Sequence, residues 1–290
     1  MNATAPLLIP GLGAIAPDYR GILSDVWGVL HNGVAAFPAA HEALTRFRQE
    51  QRGTVVLITN APRPAEPIHE QLAMLGVPRH AYDDIVTSGD VTRHLLISSA
   101  ERKCFHIGPD RDLSLYDGTG LEIVSEADAD LISCTGLFDD ETETPDDYRD
   151  QLEALAARGL LMVCANPDIV VERGDKLIWC AGALARLYED LGGRVTLPGK
   201  PHKPIYDAAL ARLQQIQGAD FDRSKVLAIG DGLLTDIRGA DAQNLDVLFI
   251  TGGIHASDFG PVDTPDEALI RRRLAEEGFS ARAALPRLSW

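Results

Sequence analysis

Cysteine is scarce in this chain, and the few residues present do not pair up. Cys104, Cys134, Cys164 and Cys180 lie far apart and form no CxxC motif. That argues against a zinc site and against a secreted disulfide framework, and leaves reduced, mostly buried thiols as the expectation. Long apolar runs are missing as well: no stretch reaches the ~18 residues that a membrane-crossing helix needs. The opening stretch MNATAPLLIPGLG carries no basic segment and is interrupted by prolines, so it does not read as a secretory signal, and a cytoplasmic protein is expected. Positive charge is also in short supply, 27 Lys and Arg against 43 Asp and Glu, for a formal net charge of -16. Such a field repels phosphate backbones, which argues against a nucleic-acid partner. There is no internal repeat and no low-complexity tract.

What remains is an ordinary globular composition over 290 residues, 45% apolar and 24% charged, enough for one large or two modest domains with a real core. GILSDVWGVL reads as a buried strand running into a turn. PAAHEALTRFRQEQRG reads as a helix with proline near its start and Gly53 beyond its end. TVVLITN is a second strand, apolar almost throughout, as strands buried on both faces of a parallel sheet are. AEPIHEQLAMLGVP is a helix stopped by Gly76 and Pro78. This alternation signals a doubly wound α/β sheet. From about Val86 a second unit starts. There KCFHIG, ADLISCTG and GLLMVCANPD read as strands, and TPDDYRDQLEALAARG and DKLIWCAGALARLYEDLGG as helices. After LPGKPHKP come the helix PIYDAALARLQQ, the strands KVLAIGDG and LDVLFITGG, and a charged helix in TPDEALIRRRLAEEG with a threonine cap.

Four stretches fall at strand ends or just after them, where open parallel sheets bind ligands. They supply Asp25 in SDVWG, Thr59 and Asn60 in ITNAP, Lys200 in PGKPHKP, and Asp231 with Asp236 in IGDGLLTDI. Chemically these are a carboxylate able to act as a nucleophile, a hydroxyl, an ammonium and an acid pair. Carboxylates of this kind suit Mg²⁺, which takes oxygen ligands from one or two acids. Phosphoryl transfer needs such positioning and charge neutralisation. Singly, each stretch is weak: an aspartate after a strand is commonly a turn residue, and Thr59-Asn60 could simply cap a helix. Their order and spacing together carry the argument.

In that order and spacing the sequence resembles the haloacid dehalogenase-like hydrolases, specifically the class that includes NagD-like and p-nitrophenyl phosphatase-like enzymes. The resemblance runs from Gly21 to about Gly253. It implies a Rossmann-like core over residues 1–85 and 197–290, with an α/β cap inserted at 86–196 that governs substrate choice. It implies a Mg²⁺-dependent phosphatase of a small phosphorylated metabolite working through an aspartyl-phosphate. Asp25 would be the nucleophile, and Thr59 with Asn60 would bind the phosphoryl group. Lys200 would offset charge, Asp231 would hold the metal, and Asp236 would steady its shell. Asn166 and Asp168, in CANPD ahead of CAGALA, would face the substrate. A homo-oligomer stays open.

One residue departs from the pattern. The family carries a second aspartate two positions after the nucleophile, which protonates the leaving group; here Trp27 stands there. Its backbone carbonyl could still serve the metal, as this position does in the family. A missing general acid typically costs ~10²–10⁴ in rate, so the enzyme is expected to be slow or to recruit His31, His202 or His255. Two alternatives follow: a catalytically weak protein that binds phosphometabolites, and a dehalogenase, since dehalogenases carry an aromatic at this position. The metal acids retained in GDGLLTD speak against the second. The serine of IVTSGD marks a junction rather than a nucleophile.

Overall fold

The computed structural model describes residues 7–174 and 176–290. In chain order the strands and helices are β1 (Gly21–Ser24), α1 (Pro38–Glu50), β2 (Thr54–Thr59), α2 (Ala65–Leu75), β3 (Asp84–Thr87), α3 (Ser88–Ser98), β4 (Lys103–Ile107), β5 (Glu122–Ile123), β6 (Leu131–Cys134) and α4 (Arg149–Ala157). They continue with β7 (Leu161–Cys164), β8 (Val170–Arg173), β9 (Lys176–Trp179), α5 (Ala181–Asp190), β10 (Arg194–Thr196), α6 (Lys203–Gln217), β11 (Val226–Gly230), α7 (Arg238–Ala242), β12 (Asp246–Ile250), α8 (Glu267–Glu276) and β13 (Ala283–Leu285). The chain divides into two compact units. The first holds the chain up to Ile58 with His69–Ile85 and Tyr206–Trp290; the second holds Thr59–Ile68 and Val86–Ile205.

The first unit is built on a six-stranded sheet in the order β13-β12-β11-β1-β2-β3. β1 and β2 are buried along their whole length, and β1 pairs in parallel with both β2 and β11. Strands buried on both faces cannot alternate polar and apolar residues, hence the near-continuous apolar runs. Helix α1 buries Ala40, Ala43, Leu44 and Phe47 completely, at the spacing that forms one helical stripe. The strand order turns over at β1 and β11: the chain leaves β1 toward β2 and leaves β11 toward β12, in opposite directions. That reversal opens a crevice at the carboxyl ends of these two strands.

The second unit has an all-parallel five-stranded sheet, β10-β7-β6-β4-β5, and a separate β8-β9 hairpin. Ile132, Met162, Leu152 and Leu184 are fully buried in its core. All four cysteines are buried and unpaired with one another, and burial pushes the Cys104 and Cys134 thiols up to about 12. They are protonated apolar fillers rather than nucleophiles. Among the described residues, no helix is long and apolar enough to cross a membrane.

The architecture is therefore α/β, with parallel sheets flanked by helices in a Rossmann-like arrangement. Two local readings need correction. The stretch expected as one helix from DKLIW onward splits: Lys176–Trp179 is a strand paired with Val170–Arg173, and the helix starts at Ala181 after an extended Cys180. Ile178 is buried between exposed Leu177 and Trp179, as neighbours on opposite faces of a strand are, and helical periodicity begins at Ala181. The cap of α8 is Asp266 rather than the threonine, because the Asp266 carboxylate accepts hydrogen bonds from the Ala268 and Leu269 N–H groups.

Candidate active site

Asp25 follows directly on β1, and Asp231 directly on β11, the strand paired with it. Asp236 lies in the first turns after Asp231, which are wound as a π-helix over Leu233–Ile237. Such bulges are enriched where a helix start serves a site. One carboxylate oxygen from each of Asp25, Asp231 and Asp236 falls within 4.8 Å of the others, and all three residues are buried. Two like charges at that separation repel by about 3 kcal/mol at an effective dielectric near 20. A small divalent cation among them would turn that repulsion into attraction, and oxygen-only donors suit Mg²⁺ or Ca²⁺ rather than a softer metal.

The backbone holds each acid in place. The Val26 N–H donates to Asp25 Oδ1 at 2.7 Å and fixes the carboxylate's rotation. The Ile254 N–H donates to Asp231 Oδ2 at 2.8 Å. The Gly232 N–H and the Thr235 hydroxyl donate to Asp236 Oδ2, at 3.1 and 3.4 Å. Two glycines that the sequence motifs did not flag make room for Asp231. A Cβ on Gly28 would lie 2.1 Å from Asp231 Oδ2, and one on Gly253 would lie 1.9 Å from it. Gly28 also sits at φ +74, where a side chain would be strained. The visible signal was glycine at the first turn beyond each of two buried strands.

Trp27 does not join the acids. A Cβ on Gly33 would come within 2.5 Å of the indole ring, and the ring meets His31 edge-on at 4.9 Å, so the indole packs on its own turn. His31 is buried, and its Nδ1 accepts the Gly33 N–H at 2.9 Å. Burial lowers its pKa to about 4. It is therefore a neutral imidazole bracing the turn, ill suited to donate a proton near neutral pH. His255 behaves similarly: its Nε2 accepts the Leu233 N–H at 3.3 Å, and its pKa is lowered chiefly by burial. His202 is half-buried on the loop after Lys200.

The remaining candidates belong to the second unit and make a constellation there. Thr59 is buried, and its Oγ accepts the Ala61 N–H at 3.2 Å. The Asn60 side chain accepts the Lys200 N–H at 2.7 Å, donates to the Lys200 carbonyl at 3.2 Å, and donates to Asp168 Oδ1 at 2.8 Å. Lys200 is 3% exposed and precedes a cis proline. Asn166 is buried, and its Oδ1 accepts the Asp168 N–H at 3.1 Å, closing a turn. That turn packs on the start of α5, where a Cβ on Gly182 would collide with the Pro167 and Asp168 carbonyls. CANPD and CAGALA are thus neighbours.

Two measurements test this geometry. Asp231→Asn removes a charge from the trio while keeping the oxygen that accepts from Ile254, so Mg²⁺ affinity should fall at least ~10-fold with little change in melting temperature. Unchanged affinity by calorimetry would remove Asp231 from the metal site. Acid should destabilise the protein through His31 and His106, both buried, each lowered from 6.5 to about 4 by burial. Because the folded values lie below the unfolded one, their contribution is complete above pH 6.5 and drains away as pH falls toward 4. The loss is at most about 3 kcal/mol each. Melting temperature followed from pH 7 to 4.5 should drop less steeply in His31→Asn and His106→Asn; slopes equal to wild type in both would refute the assignment.

The chain is also similar to known proteins. A family model described as haloacid dehalogenase-like hydrolase matches residues 22–122, and one described as HAD-hydrolase-like matches residues 197–272. The crystal structure of a hydrolase of the haloacid dehalogenase-like family from Brucella suis is 49% identical, with 97% of this chain and 100% of that one covered and a TM-score of 0.87. D-glycerol 3-phosphate phosphatase from Mycobacterium tuberculosis is 28% identical over 84% of this chain and 66% of its own length. NagD from E. coli shares the fold, with a TM-score of 0.67 at 21% identity over 93% of this chain and 96% of that one.

Proposed function

The chain belongs to the haloacid dehalogenase-like hydrolase family, and from that premise we propose that it hydrolyses the phosphate monoester of a small metabolite in a Mg²⁺-dependent reaction through an aspartyl-phosphate. The observation that carries this reading is the trio Asp25, Asp231 and Asp236, with oxygens within 4.8 Å of one another. The trio fits a hard divalent cation. Its relatives point the same way: a glycerol phosphate phosphatase from Mycobacterium tuberculosis, 27% identical, was crystallised with magnesium. When bound, the metal would neutralise charge on the phosphoryl oxygens, and the Trp27 carbonyl would be a further ligand as the resemblance implies.

In the first half-reaction an Asp25 oxygen forms a bond to phosphorus, and the P–O bond to the metabolite breaks with its electron pair leaving on oxygen. In the second, water adds to phosphorus and the Asp25–phosphorus link breaks, returning the carboxylate and releasing phosphate. The Val26 N–H on Asp25 Oδ1 keeps the nucleophile oriented throughout. Thr59 binds the transferred group with its hydroxyl, and the Lys200 ammonium offsets charge on it. The insert at 86–196 acts as the cap and selects the metabolite, with Asn166 and Asp168 on its substrate side. The protein works in the cytoplasm on a small ligand, and nucleic acid is not among its partners.

Trp27 favours a second reading, in which turnover is slow enough that the protein serves as a phosphometabolite binder. A panel of phosphorylated metabolites and aryl phosphates, assayed with and without Mg²⁺, separates the two. Phosphate release that needs Mg²⁺ supports the hydrolase. Tight binding with no release from any ester supports the binder, and halide release without Mg²⁺ supports a dehalogenase.

A further inference from the structure

We propose that Asn60 is a positioning residue: its side-chain amide locks the Lys200 backbone to the Asp168 carboxylate, and it acts on the reaction through Lys200 rather than by touching the phosphoryl group. This rests on the proposed role of Lys200 as the charge-offsetting ammonium.

The geometry of the amide is fully determined. Lys200 N–H is a donor, so the atom it meets at 2.7 Å must be the Asn60 oxygen; Lys200 C=O is an acceptor, so the atom at 3.2 Å must be the nitrogen. That orientation leaves the second amide hydrogen for Asp168 Oδ1, at 2.8 Å. An asparagine amide has two hydrogens, and both are committed. The side chain therefore has no donor left for a phosphoryl oxygen. The partners lie 108 and 140 residues away in sequence, so one side chain joins three separate loops.

The packing around it is consistent with a clamp that tolerates no looseness. Asn60 is 2% exposed and Lys200 3%. A Cβ on Gly199 would lie 2.5 Å from Asn60 Oδ1, 2.7 Å from the Pro167 ring and 2.7 Å from Ser88 Oγ. The Lys200 loop therefore meets Asn60 at the closest approach a glycine backbone allows. A buried amide with all its bonds made holds its partners in one arrangement, and removing it takes an acceptor from the Lys200 N–H and a donor from the Lys200 C=O inside the protein. A displacement of that backbone by a few tenths of an ångström is carried to the ammonium at the end of the same residue.

The test separates positioning from phosphate binding and does not depend on activity alone. Hydrogen exchange in the peptide spanning residues 197–203 should quicken ~10-fold in Asn60→Ala, because the Lys200 N–H loses its acceptor. With p-nitrophenyl phosphate, Asn60→Ala should lower kcat while KM and inhibition by inorganic phosphate stay within ~3-fold, and the loss should vanish in a Lys200→Ala background. Asn60→Asp, which loses both donors and faces the like charge of Asp168, should be impaired and should regain activity when combined with Asp168→Asn, whose amide donates back. Unchanged exchange overturns the clamp. Losses that add in the double variant, or phosphate inhibition that weakens with kcat intact, overturn positioning in favour of direct contact. If wild type releases phosphate from no ester, the phosphatase reading fails, and the exchange experiment still decides the clamp.

Discussion

Asp25→Asn should abolish phosphate release while leaving the fold in place. Asparagine keeps an Oδ1 to accept the Val26 N–H, now at 2.7 Å, and Asp25 is buried at the end of a strand paired on both sides. The local backbone therefore has no reason to move. What is lost is the lone pair that attacks phosphorus, since an amide oxygen is a far weaker nucleophile than a carboxylate. Deleting the nucleophile of a hydrolytic triad has cost ~10⁶ in kcat, so a loss of ~10⁴ or more is the expected scale here. The variant should also bind Mg²⁺ less well, because one of the three acids within 4.8 Å has lost its charge. Steady-state turnover at saturating Mg²⁺ separates the two losses: added metal restores occupancy but does not restore attack. If Asp25 were only a turn residue, asparagine would replace it with little effect, and turnover within ~10-fold of wild type would show that.

The positions of Asp25 and Asp231 are legible in the sequence because each follows an apolar run too short for a helix and bounded by glycine. Their convergence was less so. Asp25 and Asp231 meet because β1 lies beside β11, and that pairing spans some two hundred residues; it followed from strand order, not from any local pattern. The cradling of Asp231 by glycines carries no local signal for the same reason, since the atom a side chain on Gly253 would strike belongs to Asp231, after a different strand. Asn60 is legible by type and place, yet its partners lie on two other loops that only folding brings to it. The misread stretch at Lys176–Trp179 is different in kind. Four residues show either period, and the hairpin partner at Val170–Arg173 decided between them. His31 shows how burial changes a role: exposed, it would be a plausible proton donor, but buried with Nδ1 occupied it is a neutral brace.

That reassignment sharpens the expectation for Trp27. The indole is packed on the His31–Gly33 turn, its N–H is far too weak an acid to serve as a general acid for a departing alkoxide, and the neighbouring imidazole is held neutral. The first step should therefore depend steeply on how well the leaving group carries negative charge. Aryl phosphates should be cleaved ~10²–10⁴ times faster than alkyl or sugar phosphates, the span that general-acid help normally supplies. A plot of log kcat/KM against leaving-group pKa should slope strongly downward in wild type. Trp27→Asp places a carboxyl two residues beyond the nucleophile and should flatten that slope, chiefly by accelerating esters with poor leaving groups. It also removes the ring that fills the turn, so some thermal stability is lost, about 3–5 kcal/mol if the site behaves as a core aromatic and less because Trp27 is only half-buried. Trp27→Phe controls for that: it keeps an aromatic ring on the turn without an acid, and its slope should stay steep. Equal rates for aryl and alkyl esters in wild type, with chemistry limiting, would mean that a proton reaches the leaving group from elsewhere. A slope that stays steep in a folded Trp27→Asp would mean that residue 27 points its side chain into the turn whatever its chemistry, and that this backbone no longer presents an acid at that position.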